Sequence, residues 1–303
     1  MNEFFGQNGL ITRIPDNFVY RKEQLEMAEF IFSLFGKKGC AIVEAGTGVG
    51  KSLSYLIPAI VYSVENNKKI AVSTETKTLQ QQLLKSDIPI AEKLLQPMGI
   101  SFTCSLCLGS ANYLCQKRFN NFIKRGAFAP KDFHFIESIN SLLKTSKLFN
   151  RYDINIPDRI WNEICRVPEY CTNNKCSYYF SCVFQSEKKR WNESNILIMN
   201  HHLFFSNIAA DKTYLPDMDV VIFDEAHSLE DICSDLLGFS IEETDFPELL
   251  NDYYTLKIHD KKFKKTISTR LLKKIDLMIF YINSSYDDYI IQINFIIVAR
   301  NRL

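Results

Sequence analysis

Glu44-Ala45-Gly46-Thr47-Gly48-Val49-Gly50-Lys51-Ser52 decides how this chain is read. Before it runs Gly39-Cys40-Ala41-Ile42-Val43, a short apolar strand candidate. After it, Leu53-Ser54-Tyr55-Leu56-Ile57-Pro58-Ala59-Ile60 predicts a helix beginning at Ser52. Strand, glycine-rich turn and helix together form a phosphate-binding context. Glycines let the backbone wrap an anion so that successive N–H groups point inward, and the helix dipole adds to that field. Lys51 would reach the β- and γ-phosphates of ATP, and the Ser52 hydroxyl would ligate Mg²⁺. Ala45 stands where the strict pattern has its first glycine. The structural alternative is a plain glycine turn, which Lys51-Ser52 and a partner motif downstream oppose.

That partner is Asp219-Val220-Val221-Ile222-Phe223, the most strand-like run in the chain, which delivers Asp224-Glu225-Ala226-His227 at its end. Parallel α/β sheets place ligands at that edge. Asp224 supplies the hard oxygen Mg²⁺ requires, directly or through water. Glu225 is placed to polarise an attacking water, and His227 to couple the site to a second domain or to nucleic acid. Lys51, Asp224, Glu225 and His227 are therefore the candidate catalytic residues. Ala45 to Ser52 form the candidate nucleotide cradle.

The 303 residues suffice for one large domain or two modest ones, with 46% hydrophobic and 23% charged residues. A net charge of +1 gives no global nucleic-acid signature, so any such surface is a local patch. The N-terminus lacks a basic n-region and a long apolar run, and no long uncharged apolar stretch predicts a membrane span. Nine cysteines beside a nucleotide site fit a reducing, cytoplasmic setting with metal-bound thiolates better than a disulfide scaffold.

Leu25, Ala28, Ile31 and Phe32 have the spacing of one helix face upstream of the loop, with Arg21 and Gln24 at its start. Lys69 to Thr74 reads as a second buried strand and Thr76 to Leu83 as a helix with a polar opening. Ile196 to Met199 reads as a third strand, ended by Asn200-His201. That pair is either a capped strand end with a locally satisfied histidine or part of a DNA path.

Seven cysteines lie between these elements: Cys104, Cys107 and Cys115, then Cys165, Cys171, Cys176 and Cys182. The spacing from Cys171 to Cys182 is too loose for a zinc ribbon, whereas a thiolate cubane tolerates irregular spacing. Cys104-x₂-Cys107 leaves a zinc alternative open. Cys40 and Cys233 read as inert thiols.

These motifs resemble the DinG/YoaA and XPD-like group of superfamily 2 iron–sulfur DNA helicases, over roughly Phe18 to Glu230. Helicases of this class commonly carry Ala at the position of Ala45. Arg21-x-x-Gln24 resembles their adenine-reading Q motif, and Thr76 to Leu83 their contact with a single nucleic-acid strand. Asn112-Tyr113-x-Cys115 resembles the first cluster ligand, and Cys171, Cys176 and Cys182 match the other three, across an insertion of about fifty residues. The resemblance implies an α/β fold: a RecA-like P-loop motor domain with a parallel sheet, an inserted iron–sulfur lobe and the start of a helical arch. Residues 1–103 and 191–235 would form the motor domain, 104–190 the lobe, and 236–303 a partial arch-like helical region. It implies ATP, Mg²⁺ and a 4Fe-4S cluster, single-stranded or forked DNA, no membrane, and a role in DNA repair or replication with 5′→3′ movement.

Lys257 to Lys274 holds eight Lys or Arg and one acid, a patch that faces either DNA or solvent. The run Tyr289 to Arg300 is apolar and unlike an arch, and no Gln-x-x-Gly-Arg follows, which points to a truncated form or a shifted frame. A non-catalytic ATP- or DNA-binding fragment and a zinc-binding P-loop ATPase are the competing readings.

Overall fold

A computed structural model describes residues 1–13, 19–46, 48–126, 128–145, 149–210, 212–237 and 294–300. Thr47, the basic stretch 257–274 and most of the expected arch region lie outside the described residues.

Helices α1 (Asn2–Phe5) and α2 (Lys22–Leu34) lead into strand β1 (Cys40–Ala45). Then follow α3 (Lys51–Asn66), β2 (Ile70–Thr74), α4 (Lys77–Gln82), α5 (Ile88–Leu95) and β3 (Cys104–Leu106). The insertion contributes α6 (Gln116–Arg125), α7 (Phe133–Lys144), α8 (Asp158–Ile164) and α9 (Val183–Glu193). The chain returns with β4 (Ile196–Asn200), α10 (His201–Ala209), β5 (Val220–Asp224), α11 (Leu229–Leu237) and β6 (Asn294–Arg300).

The six strands form one sheet in the order β1-β6-β5-β2-β4-β3, and every pairing is parallel. Parallel strands must be covered on both faces, which explains the β-branched, uninterrupted runs of β2, β4 and β5. Their side chains alternate between two cores. Ile70, Val72, Ile196, Ile198, Val220 and Ile222 join Ala28, Ile31, Leu56, Ile60 and Leu94 on one face. Ala71, Leu197, Met199, Val221 and Phe223 join Phe204, Phe205 and the insertion's aromatic residues on the other. The two-residue period of a strand makes this division, and full burial of each such side chain contributes about 1.5–3 kcal/mol.

Two expectations are corrected here. The helical region expected through residue 303 ends in a strand: Asn294–Arg300 pairs with both β1 and β5, with Ala45 opposite Arg300 and Asp224 opposite Val298. Its apolar run, out of place in an arch, is what a central parallel strand requires. The lobe boundary at residue 104 also shifts, because Cys104–Leu106 is a sheet strand paired with Ile196–Ile198. Three residues are too few to carry a readable periodicity.

β6 keeps the strand bearing the phosphate loop and the strand bearing Asp224 from pairing directly. Two inter-strand steps of about 4.8 Å set β1 and β5 roughly 10 Å apart, and α/β folds bind ligands at the carboxyl ends of such strands. The insertion packs on the face of the sheet: Tyr113, Phe119, Trp161, Ile164, Phe184 and Trp191 share one core with Leu197 and Phe223. Lys69 fastens its last helix, donating Nζ bonds of 3.0, 3.0 and 2.6 Å to the carbonyls of Trp191, Asn192 and Ser194 at the C-terminus of α9.

Candidate functional site: the phosphate-loop crevice and the cysteine cavity

The loop after β1 turns through Gly48 (φ 80°) and Gly50 (φ 86°), both left-handed, and hands over to α3 at Lys51. At Gly50 the requirement is double. A Cβ there would sit 2.3 Å from Gln24 Nε2, which donates to the Gly50 carbonyl at 3.1 Å. Gln24 is buried, so in this conformation its amide holds the phosphate loop from beneath. Arg21 is the N-cap residue of α2, without a side-chain capping bond.

One turn into α3, the Tyr55 hydroxyl donates to Asp224 Oδ2 at 2.9 Å. Asp224 Oδ1 accepts the Glu225 N–H at 3.0 Å, and the carboxylate is buried at 8% exposure. Burial raises its pKa, opposed by the Tyr55 bond and by the charge of Lys51. Lys51, Ser52 and Asp224 thus stand near one another at one end of the sheet. The donor set of one hydroxyl and carboxylates is the hard-oxygen chemistry Mg²⁺ takes.

A further acid stands in this group. The Ser52 hydroxyl hydrogen-bonds the carboxylate of Asp87, whose pKa is raised to about 6 by burial and by the charge of Asp224. Asp87 was not legible as a site residue. It ends a π-helical turn, Leu83–Asp87, between α4 and α5, and such turns concentrate at functional sites.

Glu225 occupies the left-handed region (φ 57°, ψ 48°), a conformation non-glycine residues adopt at a cost of about 1 kcal/mol or more. Its Oε2 is buried without a hydrogen bond and lies 3.5 Å from His227 Nδ1. His227 Nε2 is 4.0 Å from Glu75 Oε2, just beyond β2. His227 therefore stands between the acidic motif and the segment that opens α4.

His201 and Asn200 act locally. Asn200 caps α10, its Oδ1 accepting the Leu203 N–H at 2.9 Å. His201 is fully buried, with Nδ1 2.7 Å from Ser73 Oγ and Nε2 3.0 Å from the Asp224 carbonyl. Burial lowers its pKa to about 4, so the ring is neutral, accepting from Ser73 and donating to Asp224. Of the two readings of this pair, the local one describes the structure. Thr76 caps α4, accepting the Leu79 N–H, and Gln80 is buried with Nε2 unpartnered.

Cys115, Cys171, Cys176 and Cys182 line one cavity, along with Arg166, Tyr170, Tyr178 and Tyr179. Cys182 precedes α9, and the N–H groups of Phe184 and Gln185 point at its sulfur, opposing the rise in pKa that burial causes. Among the described residues, no three or more Cys, His, Asp or Glu side chains are gathered as around a single metal ion. Four thiols lining one cavity are the donor type that an iron–sulfur cluster takes. Cys104, Cys107 and Cys165 lie outside that cavity. Burial pushes the Cys104 thiol up to about 12 and raises Cys107 well above the usual thiol value.

The DEAD_2 family matches residues 106–246. A protein named ATP-dependent DNA helicase YoaA from Haemophilus influenzae is 32% identical over 282 residues, 89% of this chain and 43% of the relative. Its Escherichia coli namesake is 28% identical over the same shares. ATP-dependent DNA helicase DinG of Escherichia coli is 30% identical over 257 residues, 78% of this chain and 35% of the relative. The chain thus spans less than half the length of the curated relatives it matches. The Asp-Glu-Ala-His strand end and the cysteine set fall within the DEAD_2 match, and the chain is similar to the DinG and YoaA helicases.

Proposed function

We propose that this chain is the ATP-binding motor domain of a DinG/YoaA-type DNA helicase, 5′→3′ in direction, that acts on single-stranded or forked DNA in cytoplasmic DNA repair or replication. The observation that carries the reading is the 2.9 Å bond from Tyr55 on the phosphate-loop helix to Asp224 at the end of β5. It joins the helix after the phosphate loop to the strand end that carries Asp224.

In this reading the loop N–H groups from Gly46 to Lys51 take the phosphates and Lys51 pairs with their charge. Ser52 and Asp224 hold Mg²⁺, which when bound supplies positive charge at the β- and γ-phosphates. Glu225, with a buried unpartnered oxygen, orients the attacking water. Arg21 and Gln24 flank the adenine end, Gln24 reaching the base only by releasing Gly50. His227, between Glu225 and Glu75, relays between this motif and the DNA-facing segment after β2. Cys115, Cys171, Cys176 and Cys182 bind a 4Fe-4S cluster that staples the insertion. Residues 104–190 without β3 form that lobe, and 1–103 with 191–235 the motor domain.

The test is ATP turnover by the purified chain with and without single-stranded DNA, alongside its visible absorbance. Stimulated turnover and a broad visible absorption support the reading. Colourless protein with bound zinc returns it to a zinc-binding ATPase.

A further inference from the structure

Asp87 is the buried ionisable group that the reading above leaves without a task. It is 8% exposed, its Oδ2 is buried with no hydrogen-bond partner among protein groups, and its carboxylate receives the Ser52 hydroxyl. A carboxylate in that state is costly to bury. A fold tolerates such a group where it meets something the protein alone does not supply. Its surroundings say what: Ser52 and Asp224 are its polar neighbours. Two carboxylates and one hydroxyl converging in a buried crevice call for a cation.

Backbone geometry supports the same point. Asp87 precedes α5 as its N-cap residue, yet its side chain makes no capping bond. The residue has helical dihedrals (φ −75°, ψ −40°) where the π-helical turn Leu83–Asp87 runs into α5, and its carboxylate meets Ser52 on α3 instead.

We propose that Asp87 is a positioning residue of the magnesium site. It holds the Ser52 hydroxyl by its hydrogen, which leaves the oxygen lone pairs for the metal, and offers Oδ2 to a water of the metal's shell. Mg²⁺ keeps several waters when bound, and these need acceptors. The inference rests on the nucleotide site proposed above and adds to it a carboxylate from the helix that follows β2.

The experiment is a fluorescent-ATP titration of the full chain in EDTA and across a Mg²⁺ series, for the parent and for Asp87→Asn. The variant keeps size and removes a charge that is poorly accommodated in the fold, and Asp87→Ala stands in should it not fold. The half-saturating Mg²⁺ concentration is expected to rise about tenfold, the scale of outer-sphere losses, while affinity in EDTA holds or tightens. An unchanged Mg²⁺ requirement, or equal weakening with and without the metal, overturns the proposal and makes Asp87 structural. A parent chain that binds no nucleotide under either condition refutes the site itself, and this inference with it.

Discussion

Tyr55 donates its hydroxyl to Asp224 across 169 residues of sequence, within a fully buried contact. The bond fixes the loop-bearing helix α3 to the tip of β5, so the two halves of the nucleotide site share one rigid connection. It also occupies one lone-pair direction of Asp224 Oδ2, leaving the remaining directions for a metal.

Tyr55→Phe removes that donor and leaves a buried carboxylate short of a partner. The expected loss is about 1–3 kcal/mol in the unfolding free energy, with weaker Mg²⁺-dependent nucleotide binding. Denaturant unfolding and nucleotide titration on one sample check both. Unchanged stability would show that the bond is not formed in solution.

Gly50→Ala forces a left-handed alanine, at about 1–2 kcal/mol, and drives its Cβ onto Gln24 Nε2. Nucleotide binding is expected to fall at least tenfold with the far-ultraviolet spectrum intact. Combining it with Gln24→Ala relieves the collision but not the backbone strain, so recovery is partial. Full recovery would mean that the close approach alone makes glycine necessary.

His201 supplies the pH dependence. Its pKa falls from 6.5 unfolded to about 4 folded. The unfolded chain therefore binds more protons between those values, and stability rises with pH there. The contribution is complete above about pH 6.5 and is lost as pH falls toward 4, by up to about 3 kcal/mol at roughly 1.4 kcal/mol per unit. His201→Gln should flatten this part of the stability profile while keeping one hydrogen bond. An equally steep variant profile would assign the dependence to other groups.

Cys→Ser at Cys115, Cys171, Cys176 or Cys182 is expected to abolish the visible absorption and lower the midpoint of thermal unfolding. The same change at Cys40 or Cys233 is expected to leave the absorption in place. Reconstitution under anaerobic conditions followed by spectroscopy separates the sets. Bleaching at Cys40 would refute the assignment.

Much of the site was legible because its motifs are local. A glycine loop between strand and helix, and an acidic pair after an apolar strand, declare themselves in under ten residues. The β2, β4 and β5 strands followed from apolar, largely β-branched runs buried on both faces, and β1 from its place before the glycine loop. What stayed hidden depends on pairing at long range. Tyr55 reads as one more member of an apolar helix face. Asp87 carries no motif of its own, and only the fold brings it to Ser52. β6 looked foreign because its partners, at Cys40–Ala45 and Val220–Asp224, lie far back in the chain. His201 sat next to a capping asparagine, and nothing local marks a ring bridging Ser73 and the Asp224 carbonyl.

The most direct test of the account is equilibrium binding of ATP to the chain and to Lys51→Ala and Asp224→Asn, each with Mg²⁺ and with EDTA. The account predicts tight Mg²⁺-dependent binding by the parent and loss of binding in Lys51→Ala without unfolding. It predicts an Asp224→Asn protein whose affinity no longer responds to Mg²⁺. Parent-like affinity in Lys51→Ala, or an undiminished Mg²⁺ response in Asp224→Asn, would contradict it.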